Sequence, residues 1–229
     1  MIFAIGDLHF DNTGKKPMDI FGDNWLNHEE EIINNWKKVV GENDLVLLAG
    51  DISWALKLEE AYEDLMKIES LPGRKIIIKG NHDYWWSSLK KLNDFQFKTI
   101  EFIQNNSFIH GSVGIVGTRG WSSIDTNESD EKNQRIFNRE LNRLKLSLDS
   151  LQNKTEKIIV VLHYPPFNPN LSTNEFVNIM RDYDVDICIY GHLHSEGHKY
   201  VVEGNIDEIQ FHCVSCDYID FMPKKILEE

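Results

Sequence analysis

Apolar residues fall in short, nearly unbroken runs that alternate with longer stretches where they recur every three or four positions. The runs Ile2–Ile5, Leu45–Ala49, Lys75–Lys79, Lys157–Leu162 and Asp186–Tyr190 are rich in Ile, Val and Leu. Runs of that length without polar alternation predict β-strands covered on both faces. The three-and-four spacing predicts helices over Glu29–Val40, Leu58–Ser70, Glu131–Leu151 and Asn174–Tyr183, with their charged residues on solvated faces. Shorter strand-like pieces follow between Thr99 and Gly117, broken at Asn105-Asn106 and Gly111. Val201–Val214 has the same character, with a turn expected at Gly204-Asn205. These pieces predict antiparallel strands in a second sheet. Asp11–Asn27 and Thr118–Asp130 are unpatterned, and the last dozen residues carry no readable signal. With no repeat, low-complexity block or linker, residues 1–229 are expected to form one domain.

Composition removes several functional classes. Hydrophobic residues at 41% and charged residues at 27% match an ordinary globular protein. No apolar run approaches the ~20 residues of a membrane helix. The apolar start stops at Gly6-Asp7 and no basic residue precedes it, so a first strand is expected rather than a secretory signal, and the protein is expected in the cytoplasm. The net charge of −13 offers no basic surface to neutralise a nucleic-acid backbone, although bound metal ions add charge outside that count. Long DNA or RNA is therefore not the expected partner. Cys188, Cys213 and Cys216 make no disulfide framework. Cys213-Val-Ser-Cys216 has the spacing of half a zinc site or a redox pair, but no second pair exists, so buried reduced thiols are the preferred reading.

The chemistry-bearing residues gather where predicted strands end, the rim where α/β sheets usually bind ligands. The first strand runs into Asp7-Leu8-His9, the second into Gly50-Asp51, and the third into Gly80-Asn81-His82-Asp83. Later strands end at His163 and at Gly191-His192-Leu193-His194. Five of the nine histidines lie in these loops. Oxygen and imidazole ligands without thiolate suit Mn²⁺, Fe²⁺, Co²⁺ or Zn²⁺. Two such ions ~3.5–4 Å apart can clamp a phosphate and its attacking oxygen, with a carboxylate well suited to bridge them. Singly, each cluster has an ordinary reading as a turn, a cap or a loop hydrogen bond. Their common placement and order are what point to a site.

That ordered set, Asp-x-His, Gly-Asp, Gly-Asn-His-Asp, a lone His and Gly-His-x-His from Asp7 to His194, resembles the calcineurin-like metallophosphoesterase signature. The resemblance implies a four-layer αββα sandwich, two mixed β-sheets flanked by helices. It implies two divalent metal ions (Mn, Fe, Zn or Co) acting on a small phosphate-ester substrate, a phosphodiester or phosphomonoester. By the same resemblance Asp7, His9 and His194 hold one metal, Asn81, His163 and His192 hold the other, and Asp51 bridges them. His82 is placed near the leaving group as a proton donor, and Asp83 is expected to orient or charge it. The resemblance admits two rivals, a non-catalytic metal-binding scaffold of the same fold and a nuclease.

Departures from the signature narrow it. Protein phosphatases of this family continue Gly-Asp-x-Val-Asp-Arg-Gly, whereas this chain reads Gly50-Asp51-Ile52-Ser53-Trp54-Ala55. Purple acid phosphatases place a ligating Tyr where Trp54 stands, and indole cannot take that role. Trp54, Tyr84, Trp85, Trp86 and Trp121 crowd the motifs; packing beneath the loops is preferred over a stacking wall for a flat leaving group. Arg119 is a candidate to fork onto a phosphate oxygen, with a surface ion pair as the equal alternative.

Overall fold

The computed structural model describes residues 1–121, 131–152 and 155–228. Part of the unpatterned stretch Thr118–Asp130, residues 122–130, lies outside them. Four parallel strands, β1 (Ile2–Ile5), β2 (Leu45–Leu48), β3 (Arg74–Ile77) and β4 (Ile100–Phe102), lie side by side in sequence order. The second sheet contains β5 (Phe108–His110), β6 (Val113–Thr118), β7 (Lys157–Leu162), β8 (Ile187–Tyr190), β9 (Gly204–Ile206) and β10 (Ile209–Cys213), in the order β5-β6-β7-β8-β10-β9. β11 (Lys224–Leu227) then returns to the first sheet and pairs antiparallel with β1. Strands β6, β7, β8 and β10 are mutually parallel, with antiparallel β5 and β9 on the edges. Both sheets are therefore mixed.

Alternate residues of each central strand enter different cores, as the two-residue period of a strand requires. Ile2, Ala4, Leu45, Leu47, Ile76 and Ile78 of the first sheet meet Ile115, Ile159, Val161 and Ile189 of the second in one layer. Phe3, Ile5, Val46, Leu48 and Ile77 face outward and pack on α1 (His28–Val39) and α2 (Leu58–Glu69) through Ile32, Trp36, Leu65 and Ile68. On the far side Val116, Val160, Leu162 and Cys188 pack on α4 (Glu131–Asp149) and α5 (Glu175–Asp182), a short α3 (Leu89–Asn93) lying near the first sheet's edge. The result is a four-layer αββα sandwich. Nearly all these aliphatic residues are fully buried, each stabilising by roughly 1.5–3 kcal/mol. The two sheets are thus held to one another as a stiff platform. Among the described residues no helix is long and apolar enough to cross a membrane.

Three local expectations need correction. β4 was expected among antiparallel strands of a second sheet but runs parallel to β3 in the first. The hairpin turn lies at Asp207-Glu208, not Gly204-Asn205, because Ile206 pairs with Ile209 across it. Both turn residues adopt positive φ (51° and 68°), the conformation a two-residue hairpin demands. The tail without a signal is an edge strand whose Lys224 and Lys225 hide its pattern.

The carboxyl ends of the parallel strands share one rim. Gly6, just past β1, bridges to Ser215, just past β10, and its amide bonds to the Val214 carbonyl at 2.7 Å. This seam joins the loops of both sheets.

Candidate metal centre

The strand-end loops of the first sheet continue the ladder beyond its formal end. Asp7 N bonds to Gly50 O at 2.9 Å and His9 N to Asp51 O at 3.0 Å. Asp7, His9, Asp51 and His192 all adopt φ between 48° and 75°. That left-handed conformation is unfavourable for residues other than glycine and recurs at functional sites. Here it swings each side chain inward at the rim. Two glycines permit the closest approaches. A Cβ at Gly80 would collide with the Asp51 carboxylate, and one at Gly191 would stand 2.5 Å from Asp7 Oδ2.

The inward side chains form two groups. In the first, ligand atoms of Asp7, His9 and His194 lie within 4.8 Å of one another, with His194 Nε2 3.3 Å from Asp7 Oδ1. In the second, His163 Nε2 is 2.5 Å and His192 Nδ1 2.9 Å from Asn81 Oδ1, and the two nitrogens are 3.2 Å apart. Asp51 lies between the groups, its Oδ2 3.9 Å from His9 Nε2 and 3.5 Å from His163 Nε2. Asp7 also reaches the second group, 3.8 Å from His163 Nδ1. All seven sequence-nominated ligand residues are therefore brought together.

A cation fits this arrangement better than hydrogen bonding does. His163 Nδ1 lies 2.9 Å from the Ala49 carbonyl, which can only accept, so Nδ1 carries the proton. Burial, against the pull of Asp7, holds the ring's pKa down to about 3, so His163 is neutral and Nε2 presents a lone pair to Asn81 Oδ1. Among the described residues His9 Nδ1 is buried without a hydrogen-bond partner. Asp51 is pushed well above the carboxylate range by burial and by the charges of Asp83 and Asp7. Converging lone pairs and crowded buried carboxylates are relieved by one kind of occupant, a divalent cation. Among the described residues neither group includes a cysteine. Cys188, Cys213 and Cys216 are buried and free, and burial raises the pKa of each thiol.

Electrostatics distinguish the first group. Burial opposes protonation of His194, yet Asp7 and Asp217 hold its pKa up to about 10. Burial opposes ionisation of Asp7, yet the charge of His194 keeps its carboxyl well below the usual range. Asp217 was not singled out from the sequence. Its Oδ1 accepts from His194 Nδ1 at 2.8 Å and its Oδ2 faces His198 Nε2 at 3.2 Å. Its place four residues past a strand end was the one available signal.

The remaining nominated residues have distinct surroundings. The backbone amide of His82 bonds to Asp51 Oδ1 at 2.7 Å, and its half-buried ring lies 5.7 Å from His9 and 4.6 Å from Trp54. The Asp83 carboxylate is fully buried and accepts from Asp51 N, Gly80 N, Ile52 N and Trp85 Nε1 at 2.7–3.0 Å. These contacts tie the second loop to the third. Arg119 lies 3.5 Å from Glu140 and stacks over Trp121, while its carbonyl accepts from His163 N and Tyr164 N. It thus makes an ion pair, with a partly buried side chain. Trp54 stacks on His9 at 4.8 Å and Trp85 is buried, as packing roles require, whereas Tyr84 is 62% exposed.

Comparison with known proteins agrees with this fold. The phage L5 Gene 66 protein of Mycobacterium phage L5 is 37% identical over 77 residues, which span 34% of this chain and 37% of that protein. Among solved structures, a phosphopantetheinyl hydrolase from Mycobacterium tuberculosis superposes with a TM-score of 0.57 at 14% identity, covering 93% of this chain and 89% of that one. A protein of unknown function from Aquifex aeolicus gives 0.51 at 19% identity, covering 98% and 94%. At these identities the likeness is one of fold. The sequence profile described as calcineurin-like phosphoesterase matches residues 1–196. Since that match takes in every residue of both ligand groups, this chain belongs to the calcineurin-like phosphoesterase family, whose members depend on metal.

Proposed function

We propose that the protein hydrolyses a small phosphomonoester or phosphodiester, using two divalent cations of the Mn, Fe, Zn or Co kind. The observation that carries this reading is the position of Asp51 Oδ2 between His9 and His163, one from each ligand group. Asp7, His9 and His194 would hold one ion, Asn81, His163 and His192 the other, with Asp51 shared. Bound there, the ions supply Lewis acidity toward the phosphoryl oxygens and a nucleophile at neutral pH.

The chain's own residues supply the rest. His82 is the proton donor to the departing ester oxygen, held beside the centre by its backbone bond to Asp51. Burial, against the pull of Asp7, lowers its pKa. A phosphate arriving next to it supplies the opposite charge and favours the imidazolium. Asp83 acts as a positioning residue, through the two loops it ties together rather than through contact with substrate.

The test is a screen of mono- and diesters with Mn²⁺-loaded protein, including a nitrophenyl phosphate, with Asp51→Asn as control. Metal-dependent turnover that disappears in Asp51→Asn is expected. Absence of turnover on every ester with every metal tried would sink the reading.

A further inference from the structure

A cavity of about 350 Å³ opens beside the metal centre, between the loop after β3 and the end of β6. Lys79, Arg119 and Arg143 line it, together with Ser88, Gln104 and Asn105. Among the described residues no carboxylate lines it, on a chain whose net charge is −13. One buried carboxylate stands behind the wall. Glu140 lies 3.5 Å from Arg119 and 3.1 Å from Arg143, and also accepts from Thr118 Oγ1 at 2.6 Å. A third arginine, Arg139, approaches the same carboxylate at 3.4 Å. Glu140 therefore cannot neutralise all the cations around it, three of which are arginines within 3.5 Å of its carboxylate. Among the described residues the Arg119 Nε is buried with no hydrogen-bond partner. An excess of partly buried cations with unused donors costs free energy unless an anion shares the space.

The cavity is coupled to the centre by the backbone. Lys79 precedes Asn81 by two positions, so their Cα atoms are at most ~7 Å apart. The Arg119 carbonyl holds the amides of His163 and Tyr164 at 3.1 and 3.0 Å. A small molecule with phosphates at both ends is the kind of ligand that would engage both places. Serine hydroxyls and side-chain amides add neutral donors suited to phosphate oxygens.

We propose that this cavity is a phosphate-binding pocket, separate from the phosphoryl position over the metal centre, and that it takes either the second phosphate of a bisphosphorylated substrate or a free phosphate ion. The substrate arm rests on the phosphoesterase reading above.

Lys79→Gln and Arg143→Gln test it, since both remove a charge from the wall. Binding of inorganic phosphate is first measured by calorimetry on Asp51→Asn protein, where the metal centre is impaired. Phosphate should bind there, and adding either wall substitution should weaken it about tenfold, the scale of one charge-assisted hydrogen bond. Next, kcat/KM of the Mn²⁺-loaded protein is compared on nitrophenyl phosphate, a sugar bisphosphate and a nucleoside 3′,5′-bisphosphate. If the pocket serves substrate, Lys79→Gln lowers kcat/KM about tenfold on a bisphosphate and less than twofold on nitrophenyl phosphate. If it serves free phosphate, the calorimetric loss appears without that selectivity. Phosphate binding and bisphosphate turnover both unchanged by the two substitutions would overturn the pocket. Failure of every ester to turn over would instead count against the phosphoesterase reading, with the calorimetry still reporting on the pocket.

Discussion

The two ligand groups are built from different materials. Asp7 gives the first group a formal charge, and Asp217 stands behind its His194 at 2.8 Å. The second has the neutral amide of Asn81 and two imidazoles, and its His163 is backed by only the Ala49 carbonyl. A carboxylate behind a ligating histidine raises its basicity and fixes its tautomer more strongly than a carbonyl does. On the proposed two-ion reading, the first group would be the stronger cation site, and the second would depend on Asp51 and on Asp7 reaching across. The difference teaches that the two groups are asymmetric by charge, with Asp51 placed between them as the element the proposed reading makes shared.

The largest effect should come from that shared element. Asp51→Asn is expected to lower activity a thousandfold or more, about 4 kcal/mol of barrier, and to reduce metal at both groups. Elemental analysis finding two tightly held ions per chain would refute the shared role. Asn81→Ala should sharpen the contrast by emptying the second group alone, leaving about one ion per chain, with activity reduced by roughly a hundredfold. Loss of both ions would show the two groups to be equally weak.

His82→Ala separates proton transfer from metal binding. Metal content should be unchanged while kcat falls by roughly a hundredfold. The loss should be larger for alkyl esters than for nitrophenyl esters, whose leaving groups need little protonation, and equal losses would remove the general-acid assignment. Asp217→Asn should weaken metal binding at the first group by about 10–100-fold, with little change at the second. An equal change at both would break the comparison.

The smallest effect is on stability and lies away from the site. Burial lowers the pKa of Lys75 to about 8 from 10.5, so the folded state disfavours its charge. Between those values the unfolded chain binds more protons, so this contribution to stability rises with pH, is complete above 10.5 and is lost as pH falls toward 8. The difference in unfolding free energy between the native protein and Lys75→Met should therefore shift in favour of the native protein by on the order of 1–3 kcal/mol from pH 7.5 to 10. A flat difference would show that Lys75 stays charged, its bonds to the Leu71 carbonyl and Thr99 hydroxyl compensating for burial.

The central strands were legible because a strand covered on both faces can carry little but apolar residues, as β2 and β8 do. The α1, α2, α4 and α5 helices began and ended within two residues of their expected limits, apolar spacing marking the buried face of each. β4 and β11 were not legible, since three or four residues at a sheet edge carry too little pattern to name their partner. Asp217 escaped for a related reason: its meaning depends on His194, 23 positions away.

Residue chemistry and order alone determined the strand-end motifs, the absence of thiolates among the nominated ligands and the family they resemble. These depend on local backbone preference and on which side chains can ligate a borderline metal, both of which are written residue by residue. Tertiary structure decided that Asp51 lies between the groups, that Asp83 clasps two loops instead of facing solvent, and that Lys79, Arg119 and Arg143 surround one cavity. Those relations arise only when the two sheets pack through their shared aliphatic layer and bring distant strand ends to one rim. Charge interactions across such a seam depend on distance and burial, and neither exists until the chain has folded.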